Sequence, residues 1–323
     1  MCTAISYRKS DHYFGRNMDI DRTFGEKVTI TPRNYLFHLE NGQEYRTNYA
    51  LYGMAVTAGR VPLYFEASNE KGLSAAGLNF PQNAYYQQPK EGMDNITPSE
   101  FIPWILGQAA TVKEALVLLK KLNMAKPADP GAQSATLHYM LSDATESIVA
   151  EPVREGLKLY DNPYDVMTNN PPFEYHKWNI QKYLNLNPQN GENKFSRQYE
   201  LKNYAQGLGA MGLPGDASSP SRLIRAAFHL TNSYSNDDEV SNVTQFFHVL
   251  DSVAMVKGAT VTPTGDYDLT TYSCCMNTTK GIYYYKTYDN NQINAIHMHH
   301  VDLNSDQLIT YELNTSQNIK DQN

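Results

Sequence analysis

Cysteine is scarce in this chain: three in 323 residues, at positions 2, 274 and 275. Adjacent residues of a strand point to opposite faces, so Cys274 and Cys275 read as small buried hydrophobes rather than a disulfide or metal pair. No apolar run approaches a membrane span, and the opening residues reach Arg8 too soon for a signal peptide. The expectation is a soluble, cytoplasmic protein with no membrane partner. A surplus of positive charge is missing too. Twenty-seven basic residues face 34 acidic ones, net −7, with no long run of either sign, which argues against nucleic acid as a partner. No internal repeat is visible.

What is present is an ordinary globular composition, 41% hydrophobic and 19% charged, able to bury a sizeable core. No boundary signal divides the chain, so residues 1–323 are expected to form one domain. Within it, 184–215 is a long Asn-, Gln- and Gly-rich excursion, and 314–323 is a frayed polar tail. Excursions of that length are more often functional or interfacial than idle.

Twenty-four tyrosines with many Thr, Val and Ile predict a strand-rich protein. Strand windows are 3–6, 12–15, 28–31, 136–141, 147–151 and 281–288, with hairpin turns at 8–11 and 143–145. Helix starts are marked at Thr97-Pro98-Ser99-Glu100, at Thr111-Val112-Lys113-Glu114 and at Ser219-Pro220. The second should carry Val112, Ala115, Leu116, Leu119 and Leu122 on one apolar face. A further helix is read over 243–256, ended by Gly258. Paired helices between blocks of strands favour an α+β arrangement with helices outside the sheets.

The chemistry concentrates at Cys2. Removal of Met1 would give this cysteine a free α-amine, placing nucleophile and base on one residue. Reference pKa values of about 7.7–8.0 for the amine and about 8.5 for the thiol let the amine take the thiol proton near neutral pH. The 8–11 turn would fold Gly15-Arg16-Asn17-Met18-Asp19 back beside it. Arg16 could then favour the thiolate, and Asp19 could accept from the α-amine. Taken singly these signals are weak, since an Arg-x-x-Asp pair is usually a surface ion pair.

Together with other motifs they carry a resemblance. Met1-Cys2-Thr3, Phe14-Gly15-Arg16-Asn17-Met18-Asp19, Ile30-Thr31-Pro32-Arg33-Asn34 and Asn69-Glu70-Lys71-Gly72-Leu73 are followed by Ala76-Gly77-Leu78-Asn79-Phe80. Then come Met167-Thr168-Asn169-Asn170-Pro171, Gly212-Leu213-Pro214-Gly215-Asp216, Ser221-Arg222 and Thr287-Tyr288-Asp289-Asn290-Asn291-Gln292-Ile293. In this order, nearly end to end, the chain resembles the choloylglycine hydrolase family of N-terminal-nucleophile enzymes, which contains bile-salt hydrolases and penicillin V acylases.

The resemblance implies a four-layer αββα sandwich, Cys2 as nucleophile with its freed amine as proton shuttle, and Arg16 and Asp19 holding thiolate and amine. It further implies an oxyanion donor at Asn79, an orienting role for Asn169, and Arg222 completing the polar network. Read without it, Asn79 and Asn169 are turn asparagines. Arg222, in the first turn of its helix, opposes the dipole and calls for a nearby carboxylate or substrate group.

The implied reaction is amide hydrolysis through an acyl-enzyme, with no cofactor and no metal. His297, His299 and His300 lack the ligand spacing of a metal site. Glycine- or taurine-conjugated bile salts are the expected substrates, with Met18, Ile20, Leu137 and Leu141 and the loop from Ala58 to Phe65 as candidate pocket walls. Asn79, where relatives preferring penicillin V often carry Tyr, leans toward bile salts. Penicillin V is the alternative substrate, N-acyl homoserine lactones a remoter one, and a non-catalytic bile-acid-binding or assembly protein the contrasting reading. The 184–215 excursion resembles the family's assembly segment, which implies a homotetramer.

Overall fold

Alternation along one hairpin sets the architecture. Strands Cys2–Arg8 and His12–Ile20 pair antiparallel, with Cys2 opposite Met18 and Ala4 opposite Arg16. Cys2, Ala4, Phe14 and Met18 turn to one side, into a core shared with a second sheet. Ile5, Tyr7 and Tyr13 turn to the other, into a core shared with helices. A strand apolar on both faces needs a layer on each side.

The computed structural model describes residues 1–57, 61–127 and 135–323. Its six-stranded sheet runs in the order Val166–Met167, Cys2–Arg8, His12–Ile20, Leu269–Asn277, Ile282–Thr287, Asn290–His297. The eight-stranded sheet runs Gly156–Asp161, Ser147–Val153, Leu137–Ser142, Ser74–Asn79, Leu63–Asn69, Leu51–Val56, Lys27–Thr31, Ile309–Tyr311. Helices Ser219–Asn232 and Glu239–Asp251 cover the outer face of the first sheet with Leu223, Ala226, Phe246 and Leu250. Helices Phe101–Leu106 and Val112–Leu119 cover the second with Phe101, Ile105, Val112 and Ala115. The result is the αββα sandwich, each buried aliphatic or aromatic side chain contributing about 1.5–3 kcal/mol. Gly15 lies where a Cβ would stand 2.0 Å from the Cys274 carbonyl oxygen, so the two strands meet there only without a side chain.

Two bulges aim side chains at the site. In the Leu63–Asn69 strand, Met54 opposes Glu66 while Ala55 opposes Tyr64, leaving Phe65 as the extra residue. Phe65 and Glu66 consequently both reach the space between the sheets. In the Leu269–Asn277 strand the register shifts between Thr270 and Tyr272. Tyr272 stays between the sheets, whereas Thr270 bonds Asp19.

Local expectations meet mixed outcomes. Thr111 caps its helix by accepting from the Glu114 amide. Thr97 caps none: Glu100 folds back onto its amide and hydroxyl, forming a turn, and the helix begins at Phe101. Leu122 belongs to the strand Leu122–Met124 rather than to the preceding helix. The helix expected over 243–256 is Glu239–Asp251, because Asp238 accepts from the Ser241 amide and starts it four residues earlier. Cys274 and Cys275 are buried on opposite faces of their strand. The 314–323 tail is exposed, yet Asn314 and Gln317 are tied to Asn290 and Asn291. Among the described residues no helix is long and apolar enough to cross a membrane.

Candidate active site

Cys2 begins the first strand, so its sulfur lies at the open end of the sandwich, 3.9 Å from the Met18 sulfur. Its backbone nitrogen donates to Asn169 Oδ1 at 2.7 Å. Asn169 also accepts from Arg222 Nη2 at 2.8 Å and donates through Nδ2 to the Asn79 carbonyl at 2.8 Å. Arg222 Nη1 in turn donates to the Cys2 carbonyl and to Thr3 Oγ1. One amide and one guanidinium thus fix the nucleophile strand, the helix Ser219–Asn232 and the end of Ser74–Asn79 to one another.

Strand parity separates the two charged residues of the Gly15-to-Asp19 motif. Arg16 shares the inter-sheet face with Met18, and its Nη1 donates to the carbonyls of Gly77 at 2.6 Å and Phe65 at 3.2 Å. Burial works against its charge, but the Cys2 sulfur, Tyr272 and Glu66 outweigh burial and hold the guanidinium above its ordinary value. Asp19 points to the helix side, where Thr270 donates to Oδ1 at 2.6 Å and Arg222 Nη1 lies 4.0 Å from Oδ2. Burial raises the Asp19 carboxyl above the usual range, opposed by Arg222 and Thr270. The same burial pulls Arg222 down, opposed first by Asp19. Asp19 is thus the carboxylate that the awkward placement of Arg222 demanded. Asp19 Oδ2 has no hydrogen-bond partner among the described residues.

Met1 is in place, its ammonium bonded to the Asp19 carbonyl at 2.6 Å and to Asp268 Oδ2 at 3.2 Å. It lines a cavity of about 510 Å³ together with Cys2, Arg16, Asp19 and Asn79. The apolar walls come from Met18, Ile20, Phe24, Leu63, Phe65 and Leu137, a volume and lining suited to a small amphipathic molecule. Of the expected walls, Met18, Ile20, Phe65 and Leu137 line it, and Ala58 lies outside the described residues. Leu141 does not. Four residues further into the sheet than Leu137, it is fully buried in the helix-side core.

Asp268, Thr270, Phe24 and Glu66 went unnoticed in the sequence. Leu63 lines the cavity from within the segment expected as a wall, and of the residues missed only Phe24, near the motif, carried a signal of position. The rest meet the site through sheet register.

A thiol opening the first strand, between the two sheets of an αββα sandwich, defines the N-terminal-nucleophile class of hydrolase. Residues 2–311 match the model of the linear amide C–N hydrolases, choloylglycine hydrolase family. The chain is 44% identical over 320 residues to a bile salt hydrolase/transferase of Lactiplantibacillus plantarum, covering 97% of each. It is 40% identical over 326 residues to one of Clostridium perfringens, covering 99% of each. A crystal structure of the conjugated bile acid hydrolase of Clostridium perfringens superposes with TM-score 0.91 at 39% identity, over 100% of both chains. Penicillin V acylase of Agrobacterium tumefaciens shares the fold, with TM-score 0.76 at 20% identity over 96% of this chain and 91% of that one. The chain belongs to the choloylglycine hydrolase family and is a linear amide C–N hydrolase.

Proposed function

We propose that the chain hydrolyses the amide bond of glycine- or taurine-conjugated bile salts, with Cys2 as nucleophile once Met1 is removed. The carrying observation is that the Cys2 thiol, Arg16 and Asn79 line one apolar-walled cavity. In the proposed reaction the freed amine takes the thiol proton and the sulfur attacks the amide carbonyl. The oxyanion is held by donors at Asn79, and the amine returns the proton to the leaving nitrogen. Water then releases the bile acid from the thioester. Asn169, already bonded to the Cys2 nitrogen, orients the amine. Arg222 and Asp19 fix that network from the helix side, and Arg16 faces the sulfur. The steroid lies against Met18, Ile20, Phe65 and Leu137, with the conjugate toward solvent.

The names of the relatives support bile salts as substrates, and the acylase likeness supports the fold alone. Rates on glycocholate, taurocholate and penicillin V test the proposal, with the N-terminus verified by mass. Release of glycine or taurine at the highest kcat/KM supports it. A strong preference for penicillin V overturns it. Binding of cholate with no release from a verified Cys2 N-terminus returns the protein to a binding role.

A cytoplasmic homotetramer is proposed with the activity. Leu184, Phe195, Tyr199, Leu201, Tyr204 and Met211 are exposed along the 184–215 excursion, an apolar surface of the kind that subunits cover. Light scattering near four times the mass of one chain supports this, and a monomer contradicts it.

A further inference from the structure

Arg16 is buried with a carboxylate behind it. Glu66, fully buried at the bulge of its strand, places Oε2 at 3.8 Å from Arg16 Nε. Its two oxygens accept one tyrosine hydroxyl each: Tyr272 on Oε2 at 2.8 Å and Tyr283 on Oε1 at 2.7 Å. Tyr272 and Tyr283 stand on neighbouring strands of the opposite sheet, so the bonds span the inter-sheet core. Burial raises the Glu66 carboxyl above its usual range, opposed first by Arg16 and then by the hydroxyls of Tyr283 and Tyr272 and the thiol of Cys274, the other titratable groups facing it. Meanwhile Arg16 Nη1 is already held by the Gly77 and Phe65 carbonyls. Among the described residues no acceptor meets Nη2, and Arg16 lines the cavity.

The guanidinium therefore answers to two acidic groups, Cys2, which lines the cavity with it, and Glu66, which lies outside that lining. A buried arginine needs a counter-charge in every state of the site. While Cys2 is a neutral thiol, Glu66 is the group placed to supply it. When Cys2 ionises, the two anions compete for one cation. The carbonyls of Gly77, Phe65 and Asn17 hold Arg16 whether or not Glu66 is charged, so Glu66 acts on the charge balance more than on the position of the guanidinium.

We infer that Glu66, whose negative charge Arg16 first and then Tyr283 and Tyr272 favour against its burial, is a charge-balancing residue of the active site. It limits how far Arg16 favours the Cys2 thiolate. The inference rests on Cys2 being the nucleophile. Its chemical purpose is to match thiol and amine: a thiol ionised too readily is a weaker nucleophile and cannot exchange its proton with the α-amine. Arg222, Asp19 and Asp268 also face the Cys2 end of the strand, and all three remain unchanged in the test.

The test is the pH dependence of Cys2 alkylation by iodoacetamide in chains lacking Met1, with the label assigned to Cys2 by peptide mass. Glu66→Gln keeps the shape and removes the charge. The midpoint of the alkylation profile is expected to fall by about half a pH unit or more, with kcat reduced and KM changed less. Tyr283→Phe, which deletes one donor to the carboxylate and favours its neutral form, should lower the midpoint by a smaller amount. It provides the reading if Glu66→Gln does not fold. A midpoint unmoved in the folded variant overturns the inference. So does one that rises, since that would make Glu66 a holder of Arg16 and nothing more. If alkylating Cys2 leaves wild-type hydrolysis intact, the nucleophile reading itself fails, and the inference with it. That outcome is separate from an unmoved midpoint in an enzyme that alkylation inactivates.

Discussion

Asn169 Oδ1 and the backbone nitrogen of Cys2 are 2.7 Å apart, so the group expected to become the α-amine is already oriented by a neutral side chain. That side chain is itself pinned by Arg222 and bonded to the Asn79 carbonyl. Asn169 joins three segments that are far apart in sequence.

Replacing Asn169 with Ala is therefore expected to lower kcat about 100-fold or more, the scale on which a polar group oriented toward the reacting atoms acts. KM for glycocholate should stay within about threefold, because Asn169 is not among the apolar walls. Steady-state kinetics read both. A large rise in KM with kcat intact would make Asn169 a substrate-binding residue instead.

Leu137 and Leu141 form a matched pair. Leu137→Ala removes part of the cavity wall, and losing about 1–2 kcal/mol of apolar contact raises KM roughly five- to thirtyfold with little change in kcat. Leu141→Ala, in the helix-side core, should leave KM unchanged and cost about 2–5 kcal/mol of stability. Kinetics and urea unfolding of both variants check the division.

His12 should make stability depend on acidity. It is buried and hydrogen-bonded to Ser6, Ser142 and Thr278. Burial, helped by Arg8, lowers its pKa from 6.5 to about 3. The unfolded chain therefore binds a proton that the folded one refuses between those values. Its contribution is fully present above pH 6.5 and is lost as pH falls toward 3. Urea midpoints should drop between pH 7 and pH 5, and a folded His12→Gln variant should flatten that part of the dependence. An unchanged slope in the variant would assign it to other groups.

These contrasts mark what was legible in the chain. The hairpin at 8–11, and with it the meeting of Cys2 and the Gly15-to-Asp19 segment, could be read because it is local and its register follows from a short turn. The opposite facings of Arg16 and Asp19 follow from the same alternation. Leu141 was misplaced because parity gives the face of a strand and not the distance along it to the open end. Glu66, Thr270 and Asp268 gave no warning. Two bulges and the pairing of strands some 250 residues apart bring Thr270 to Asp19 and Tyr272 to Glu66, and no local pattern encodes such register. The helix start at Asp238 was hidden in a polar stretch that also reads as loop.

On the proposed mechanism Cys2 is a nucleophile only as residue one of the mature chain. The most direct test is acid quenching of the enzyme during turnover of glycocholate, followed by mass analysis of the N-terminal peptide. A cholyl thioester on Cys2, found only on chains lacking Met1, is the expected result. An acyl group on another residue, or hydrolysis by chains that keep Met1, would contradict it.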